Sequence, residues 1–312
     1  MVWCKKGIIF TPNTKLYWSK THAQVPTAEI IDENKIRIYY SSRDLNNRSY
    51  ISYIEVSAFD PSEILYCLPE PILGLGKLGT FDDSGLMPSS VITISDSLKY
   101  LYYTGWNIGS TTPYQNAIGL AVSRDNGESF TRIGDGPILN PSLYEPYFIG
   151  TACVTRFSNN WQCWYASCTG WDEIDGIIEP KYHLKYAESQ DGITWKRDGK
   201  IAIDFIDNYE GGIVKASVYK NNLYYEMWYC YRKIIDYRQN PNNSYKIGYA
   251  ISYDSINWIR RDNEILFNFC NDDWDRQMMA YPNIIVCNNK KYMFYNGNNF
   301  GKMGFGYAEW ED

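Results

Sequence analysis

A short motif returns along this chain at almost constant spacing. The segments Ile118-Gly-Leu-Ala-Val-Ser123-Arg-Asp125-Asn-Gly127-Glu-Ser-Phe130, Leu184-Lys-Tyr-Ala-Glu-Ser189-Gln-Asp191-Gly192-Ile-Thr-Trp195 and Ile247-Gly-Tyr-Ala-Ile-Ser252-Tyr-Asp254-Ser-Ile-Asn-Trp258 each run from an apolar strand through Ser-x-Asp to an aromatic ring. Their serines stand 66 and 63 residues apart. Such a strand is expected to turn back as a hairpin, because the aspartate can accept from turn amides while the ring packs between strands. Gly304-Phe-Gly-Tyr-Ala308 repeats the strand of the third copy, and Tyr50-Ile-Ser-Tyr-Ile-Glu-Val56 is a degenerate early copy, which makes five units. A unit of this size cannot bury its own apolar face and must stack on its neighbours.

Each unit also contains an aromatic strand: Ile36-Arg-Ile-Tyr-Tyr40, Tyr100-Leu-Tyr-Tyr103, Trp161-Gln-Cys-Trp-Tyr165, Tyr224-Tyr-Glu-Met-Trp-Tyr229 and Tyr292-Met-Phe-Tyr295. With 29 Tyr, 11 Trp and 12 Phe, the chain favours strands over helical bundles. An opening strand, the aromatic strand, the motif strand and an outer strand, such as residues 195–203 or 258–267, give four strands per unit. The predicted fold is all-β, a five-bladed β-propeller in a single domain over residues 1–312. The last unit stops at Asp312 without an outer strand, yet Trp3-Cys-Lys-Lys-Gly-Ile-Ile-Phe10 has that pattern. The N-terminal strand is therefore predicted to complete the last blade and remove an exposed sheet edge.

A net charge of −6 leaves no basic excess for a phosphate backbone, so nucleic acid is not an expected partner. No stretch approaches the ~20 apolar residues of a membrane span. The start, Met1-Val-Trp-Cys-Lys-Lys-Gly-Ile-Ile-Phe10, lacks the apolar core of a signal peptide, so the expected location is cytoplasmic. The eight cysteines (Cys4, Cys67, Cys153, Cys163, Cys168, Cys230, Cys270 and Cys287) match no zinc spacing, and only His22 and His183 are available beside them. Buried reduced thiols are expected, with no metal and no cofactor.

In a propeller the starts of the first strands and the ends of the second strands share one mouth. Aligned on Pro26, Pro88, Thr151, Lys215 and Pro282, the first strands bring His22 and Gln24, Asp82 and Asp83, Glu145, Glu210, and the cluster Asp272-Asp273-Trp274-Asp275. The second strands end at Arg43, Trp106, Trp171, Arg232 and Asn298. Acids, arginines, tryptophans and amides around one hollow read as a carbohydrate site: rings stack on sugar faces, polar groups bond hydroxyls, and paired carboxyls supply acid and base. The candidate catalytic residues are Asp83, Glu145 and Glu210. The candidate substrate-binding residues are His22, Arg43, Asp82, Trp106, Trp171, Arg232, Asp273, Asp275 and Asn298.

The five-unit pattern, together with Phe81-Asp-Asp-Ser-Gly85, Tyr144-Glu-Pro146, Tyr209-Glu-Gly211 and the Ser-x-Asp turns, resembles the five-bladed glycoside hydrolase superfamily of arabinanases, β-xylosidases, invertases and levansucrases. It is particularly similar to glycoside-hydrolase-like propellers of bacterial surface polysaccharide biosynthesis. The resemblance implies an aspartate base or nucleophile in the first blade, a tuning aspartate in the second, which Asp83 fits, and a glutamate acid, which Glu145 or Glu210 fits. The opening strand Thr21-His22-Ala-Gln24-Val-Pro26 offers no aspartate and departs from that pattern. Three functions follow as expectations: an enzyme acting on a glycosidic linkage; glycosyl transfer or phosphorolysis on a phosphate-activated sugar held by Arg43, Arg232 or Arg276; and a non-catalytic sugar-binding propeller. The expected partner is a carbohydrate or activated sugar.

Overall fold

The computed structural model describes residues 2–157, 160–268 and 273–311, so Cys270 and Asp272 lie outside it. Its strands follow one another as antiparallel meanders. After β1 (Val2–Phe10), the first comprises β2 (Thr21–Asp32), β3 (Lys35–Arg43), β4 (Ser49–Ser57) and β5 (Ile64–Cys67). The second comprises β6 (Gly85–Ser95), β7 (Leu98–Ile108), β8 (Tyr114–Ser123) and β9 (Thr131–Arg132). The third comprises β10 (Ile149–Phe157), β11 (Asn160–Ile174) and β12 (Ile177–Ser189), with β13 (Trp195–Lys196) and β14 (Ile201–Ile203) both paired to β12. The fourth comprises β15 (Glu210–Lys220), β16 (Tyr225–Lys233), β17 (Lys246–Ser252) and β18 (Ile259–Arg260). In the last, β19 (Ala280–Cys287), β20 (Lys290–Asn296) and β21 (Phe305–Glu311) are followed by β1 on the outer edge.

The repeated turns behave as their composition dictates. Ser123, Ser189 and Ser252 donate to the Asp two residues on at 2.6, 2.9 and 2.9 Å. Asp191 then accepts from the Ile193 and Thr194 amides, and these backbone bonds hold its carboxyl below the usual range. The aromatic that follows packs inward: Trp195 lies edge-on to Tyr102 of the second meander, and Trp258 edge-on to Trp164 of the third. The motif thus fixes both a hairpin and the meander it leans on.

The opening strands carry a shared irregularity. Each has a register shift at the same place: between Gln24 and Thr27, Pro88 and Ser90, Gly150 and Cys153, Val214 and Ser217, and Ala280 and Asn283. At four of these bulges a non-glycine residue takes a positive φ: Val25 at 55°, Thr151 at 40°, Lys215 at 56° and Tyr281 at 57°. Such backbone costs on the order of 1 kcal/mol or more per residue, so something must hold it. The preceding meander does. The Val25 amide donates to Asn296 Oδ1 (2.7 Å), Thr151 to Thr104 Oγ1 (2.9 Å), Lys215 to Thr151 Oγ1 (3.3 Å) and Tyr281 to Cys230 Sγ (3.3 Å). The fifth bulge has Pro88, which has no N–H to satisfy. A second tier repeats the handover, with Val154 to Ser90, Ile284 to Ser217 and Ala28 to Asn283. Lys215 Nζ then reaches Ser89 O (2.8 Å) and Thr27 Oγ1 (3.3 Å), tying the fourth meander to the second and first across a narrow hollow.

The seven described cysteines are free thiols, and all but Cys67, which is exposed on the short edge strand β5, are buried as expected. Among the described residues no helix is long and apolar enough to cross a membrane.

The chain ends meet through β1 and β21, in register from Val2 opposite Glu311 to Phe10 opposite Phe305. Trp3 is fully buried there, edge-on to Trp228 and Trp310 at 5.2 and 4.9 Å. Its removal leaves a cavity between two meanders, so Trp3→Ala is expected to cost about 3–5 kcal/mol. The check is a urea titration, in which the midpoint falls while the slope is unchanged.

Candidate functional site

Strands and loops of every meander meet around a cavity of about 570 Å3 at one end of the hollow. Its floor is built from the bulges, with Val25, Thr151, Val214 and Tyr281 all on its surface, and its walls come from strand ends and the loops beyond them. Trp106 at the end of β7, Tyr114 at the start of β8, and Tyr182, Tyr237 and Tyr245 make much of the lining aromatic. Between the rings stand His22, Gln24, Arg43, Asn116 and Arg238. Among the described residues no aspartate or glutamate lines the cavity.

Its electrostatics are correspondingly positive. Arg43 donates from Nε to Gln24 Oε1 (3.1 Å) and from Nη1 to Asn47 Oδ1 (2.9 Å), and among the described residues no carboxylate pairs with it. Partial burial pulls its pKa below the ordinary value, as expected of a half-buried guanidinium with no carboxylate beside it. Arg238 is bidentate to Glu179, at 3.1 and 3.0 Å. Beneath the floor the wholly enclosed Lys215 has its pKa drawn down to about 8 by burial. Burial, then the charges of Arg43 and Lys302, pull His22 down to about 4, so its imidazole is neutral at pH 7. Asn116 Oδ1 is buried with no hydrogen-bond partner, an acceptor open to a ligand hydroxyl.

Of the residues picked out from the sequence, His22, Arg43 and Trp106 line this cavity. Trp171 stands behind it, edge-on to Tyr114 and Phe148 at 5.3 and 5.5 Å. Arg232 is also one layer back, buried against Tyr182, Tyr237 and Tyr245. Asp273 is exposed beside Arg276, and Asn298 caps the Gln277 and Met278 amides. Asp83 accepts from Gly79 N and Ser84 Oγ within its own turn.

The remaining acids share one arrangement, away from the cavity lining. Asp82, Glu145, Glu210 and Asp275 each precede or open a first strand and are buried against a basic side chain from the outer part of the same meander. Asp82 meets Arg132 at 2.7 Å, Glu145 meets Arg197 at 3.2 Å, Glu210 meets Arg260 at 2.8 Å and Asp275 meets Lys5 at 2.9 Å. Tyr103, Tyr165 and Tyr295 of the second strands donate to Asp82, Glu145 and Asp275. In the first meander the corresponding link is made without an acid, by the Trp18 indole N–H to Pro69 O at 2.9 Å. The opening strand that lacks an aspartate in the sequence thus has a neutral version of the same fastening.

No family model matches the chain. It is 33% identical over 312 residues to the uncharacterized proteins MT1551 and Rv1502 of two Mycobacterium tuberculosis strains, with 100% of either chain covered. The chain belongs to their family. Among solved structures it is similar to a glycosyl hydrolase from Bacteroides ovatus (TM-score 0.72, 16% identity, 99% of this chain and 93% of that one). A thermostable family-43 glycoside hydrolase gives 0.65 at 18% identity, covering 96% and 91%. A structure from the GH130 family of mannoside phosphorylases, which contains glycoside hydrolases that target β-1,2 mannosidic linkages in Candida mannan, gives 0.70 at 14% identity, covering 99% and 93%. At these identities the shared property is the fold: the chain has the all-β architecture of the glycoside hydrolase propellers.

The sequence reading missed Tyr114, Tyr182 and Tyr245 because it gathered first-strand starts and second-strand ends only. The third strands run up from the same mouth; Tyr114 opens β8 and Tyr245 immediately precedes β17, aromatic starts that were the available signal, whereas Tyr182 lies six residues into the longer β12.

The His22 shift has a measurable consequence. Its folded pKa lies below the unfolded value, so above pH ~6.5 both states carry a neutral ring and stability is unaffected. As pH falls from there toward about 4, the unfolded chain takes up the proton first and stability drops. The His22→Gln variant is expected to show a shallower decline of urea midpoint across that window. Identical declines in the two proteins would remove the assignment.

Proposed function

We propose that the protein is a single-domain, five-bladed propeller that moves a glycosyl group between phosphate and a sugar hydroxyl in the bulge-floored cavity. The surface-polysaccharide setting suggested by the family resemblance supplies such activated sugars. The observation that carries this reading is Arg43, a half-buried guanidinium with no carboxylate partner among the described residues, facing a cavity that no described acid lines. A site of this charge within a chain of net charge −6 favours an anion. The guanidinium fork suits phosphate oxygens, and Trp106 and the tyrosines suit the faces of a sugar ring. His22, neutral at pH 7, serves as a hydrogen-bonding partner for ligand oxygens. In this reading Arg232 and Trp171 brace the walls, while Glu145 and Glu210 fasten their own meanders and Asp83 its turn.

The chemistry agrees with the charge distribution. Hydrolysis by paired carboxyls needs two acids flanking the scissile bond at about 5–9.5 Å, and the described acids are engaged elsewhere. Phosphate brings its own nucleophilic oxygen.

The test is incubation with a panel of disaccharides, with and without inorganic phosphate, and measurement of sugar phosphate. Phosphate-dependent product is expected, and Arg43→Met should raise KM for phosphate at least about 10-fold, the loss of a charge-assisted contact. Reducing sugar released without phosphate, and abolished in Glu145→Gln and Glu210→Gln of intact fold, would return the site to those acids. Saturable sugar binding with no turnover would make the protein a binding propeller.

A further inference from the structure

Breaking a glycosidic bond leaves an oxygen that must gain a proton, and the cavity offers no described carboxyl to give it. Two of its lining tyrosines hold an unusual hydrogen-bond count. Tyr182 and Tyr245 bond each other through their hydroxyls, both lining the cavity. Two phenols bring two protons, and one bond between them uses one. Among the described residues neither hydroxyl has another acceptor, and the remaining contact is a donor: Arg232 Nε, 3.3 Å from Tyr182 Oη.

With Tyr245 donating, Tyr182 Oη accepts from both Tyr245 and Arg232 and the Tyr182 proton is left unused; with Tyr182 donating, the spare proton sits on Tyr245, the more deeply buried residue and the one that Arg232 does not touch. Arg232 is fixed in this role. Its other nitrogens donate to Lys233 O (2.9 Å) and Pro180 O (2.8 Å), its guanidinium lies 3.8 Å from the Tyr237 ring centroid, and among the described residues no carboxylate neutralises it. Tyr237 is itself held by donating to Glu179 at 2.7 Å. Tyr182 remains the more exposed of the pair, at 8% against 3%.

Resting on the glycosyl-transfer reading above, we infer that Tyr182 is the general acid of this cavity, with Arg232 and Tyr245 as positioning residues that receive the charge left on its oxygen. As a hydrogen phosphate oxygen bonds to the anomeric carbon, the bond from that carbon to the glycosidic oxygen breaks and the Tyr182 proton passes to the departing oxygen. The phosphate group, now bearing the sugar, still carries its own proton and returns it to the phenolate. Atoms and charge balance with no further reactant. Tyr281, on the cavity floor, is near enough to feel both Arg43 and the Tyr182 phenol.

The experiment compares Tyr182→Phe with the wild type on 4-nitrophenyl glycosides, whose leaving group departs without a proton, and on the matching disaccharides, whose leaving group needs one, each with and without phosphate. The variant is expected to lose at least about 100-fold in kcat on disaccharides, the usual contribution of a general acid, while staying within a few-fold on nitrophenyl substrates. Tyr245→Phe should show the same split at smaller size, and serves if Tyr182→Phe does not fold. Equal loss on both substrate types, or no loss, overturns the role of Tyr182 and leaves the transfer reading in place. The same split with reducing sugar in place of sugar phosphate supports Tyr182 and overturns the transfer reading. No turnover of any substrate by the wild type overturns both.

Discussion

The bulge near the start of each first strand, at four of the five with its freed amide passed to a side chain of the meander before it, is the contact on which the rest of this molecule depends. A positive φ at Val25, Thr151, Lys215 or Tyr281 is unfavourable for those residue types, two of them β-branched. It persists because Asn296, Thr104, Thr151 and Cys230 each supply the acceptor from next door. The strained residues are therefore held by tertiary structure and in turn link consecutive meanders. Because the bulges turn the strands at one depth, they also make a floor, and the cavity exists above it. Strain and site share one origin, as is common where backbone is bent to serve a ligand.

The charges are sorted by the same geometry. Asp82, Glu145, Glu210 and Asp275, near the starts of first strands, each lie opposite the outer part of their own meander, where Arg132, Arg197, Arg260 or Lys5 meets them. A buried carboxylate without such a partner would be several kilocalories per mole less favourable, so each pair holds its meander together. The groups left facing the hollow are the arginines, the neutral histidine, the amides and the phenols. An overall acidic protein thus surrounds a positive pocket, and the sign of the whole chain says nothing about the sign of its ligand.

Much of the architecture was readable from residue order. The Ser-x-Asp spacing gave the hairpins, the aromatic strands gave their partners, and the Trp3 segment marked itself as the missing outer strand that now pairs with β21. The site was legible only in part. His22, Arg43 and Trp106 reach the cavity, whereas Asp82, Glu145, Glu210 and Asp275 lie near the same strand ends but outside its lining, each against a basic side chain. Alignment of a repeat locates a residue along a strand to within a position or two, but a step of one residue reverses the face, and at a bulge the alternation itself is interrupted. The first unit offers no aspartate at this position, and there the Trp18 indole bonds Pro69 O instead.

What the order of residues determined by itself was the period, the strand content and the joining of the two chain ends, because these depend on local turn chemistry and on apolar alternation repeated many times. What only the tertiary structure decided was which charges oppose one another. Arg132 is 50 residues from Asp82, Arg260 is 50 from Glu210, and Lys5 pairs with Asp275 across nearly the whole chain. Electrostatic energy falls with distance through space and takes no account of distance along the backbone, so the division between acids that fasten the fold and cations that face the cavity follows from the meanders being closed around a common hollow.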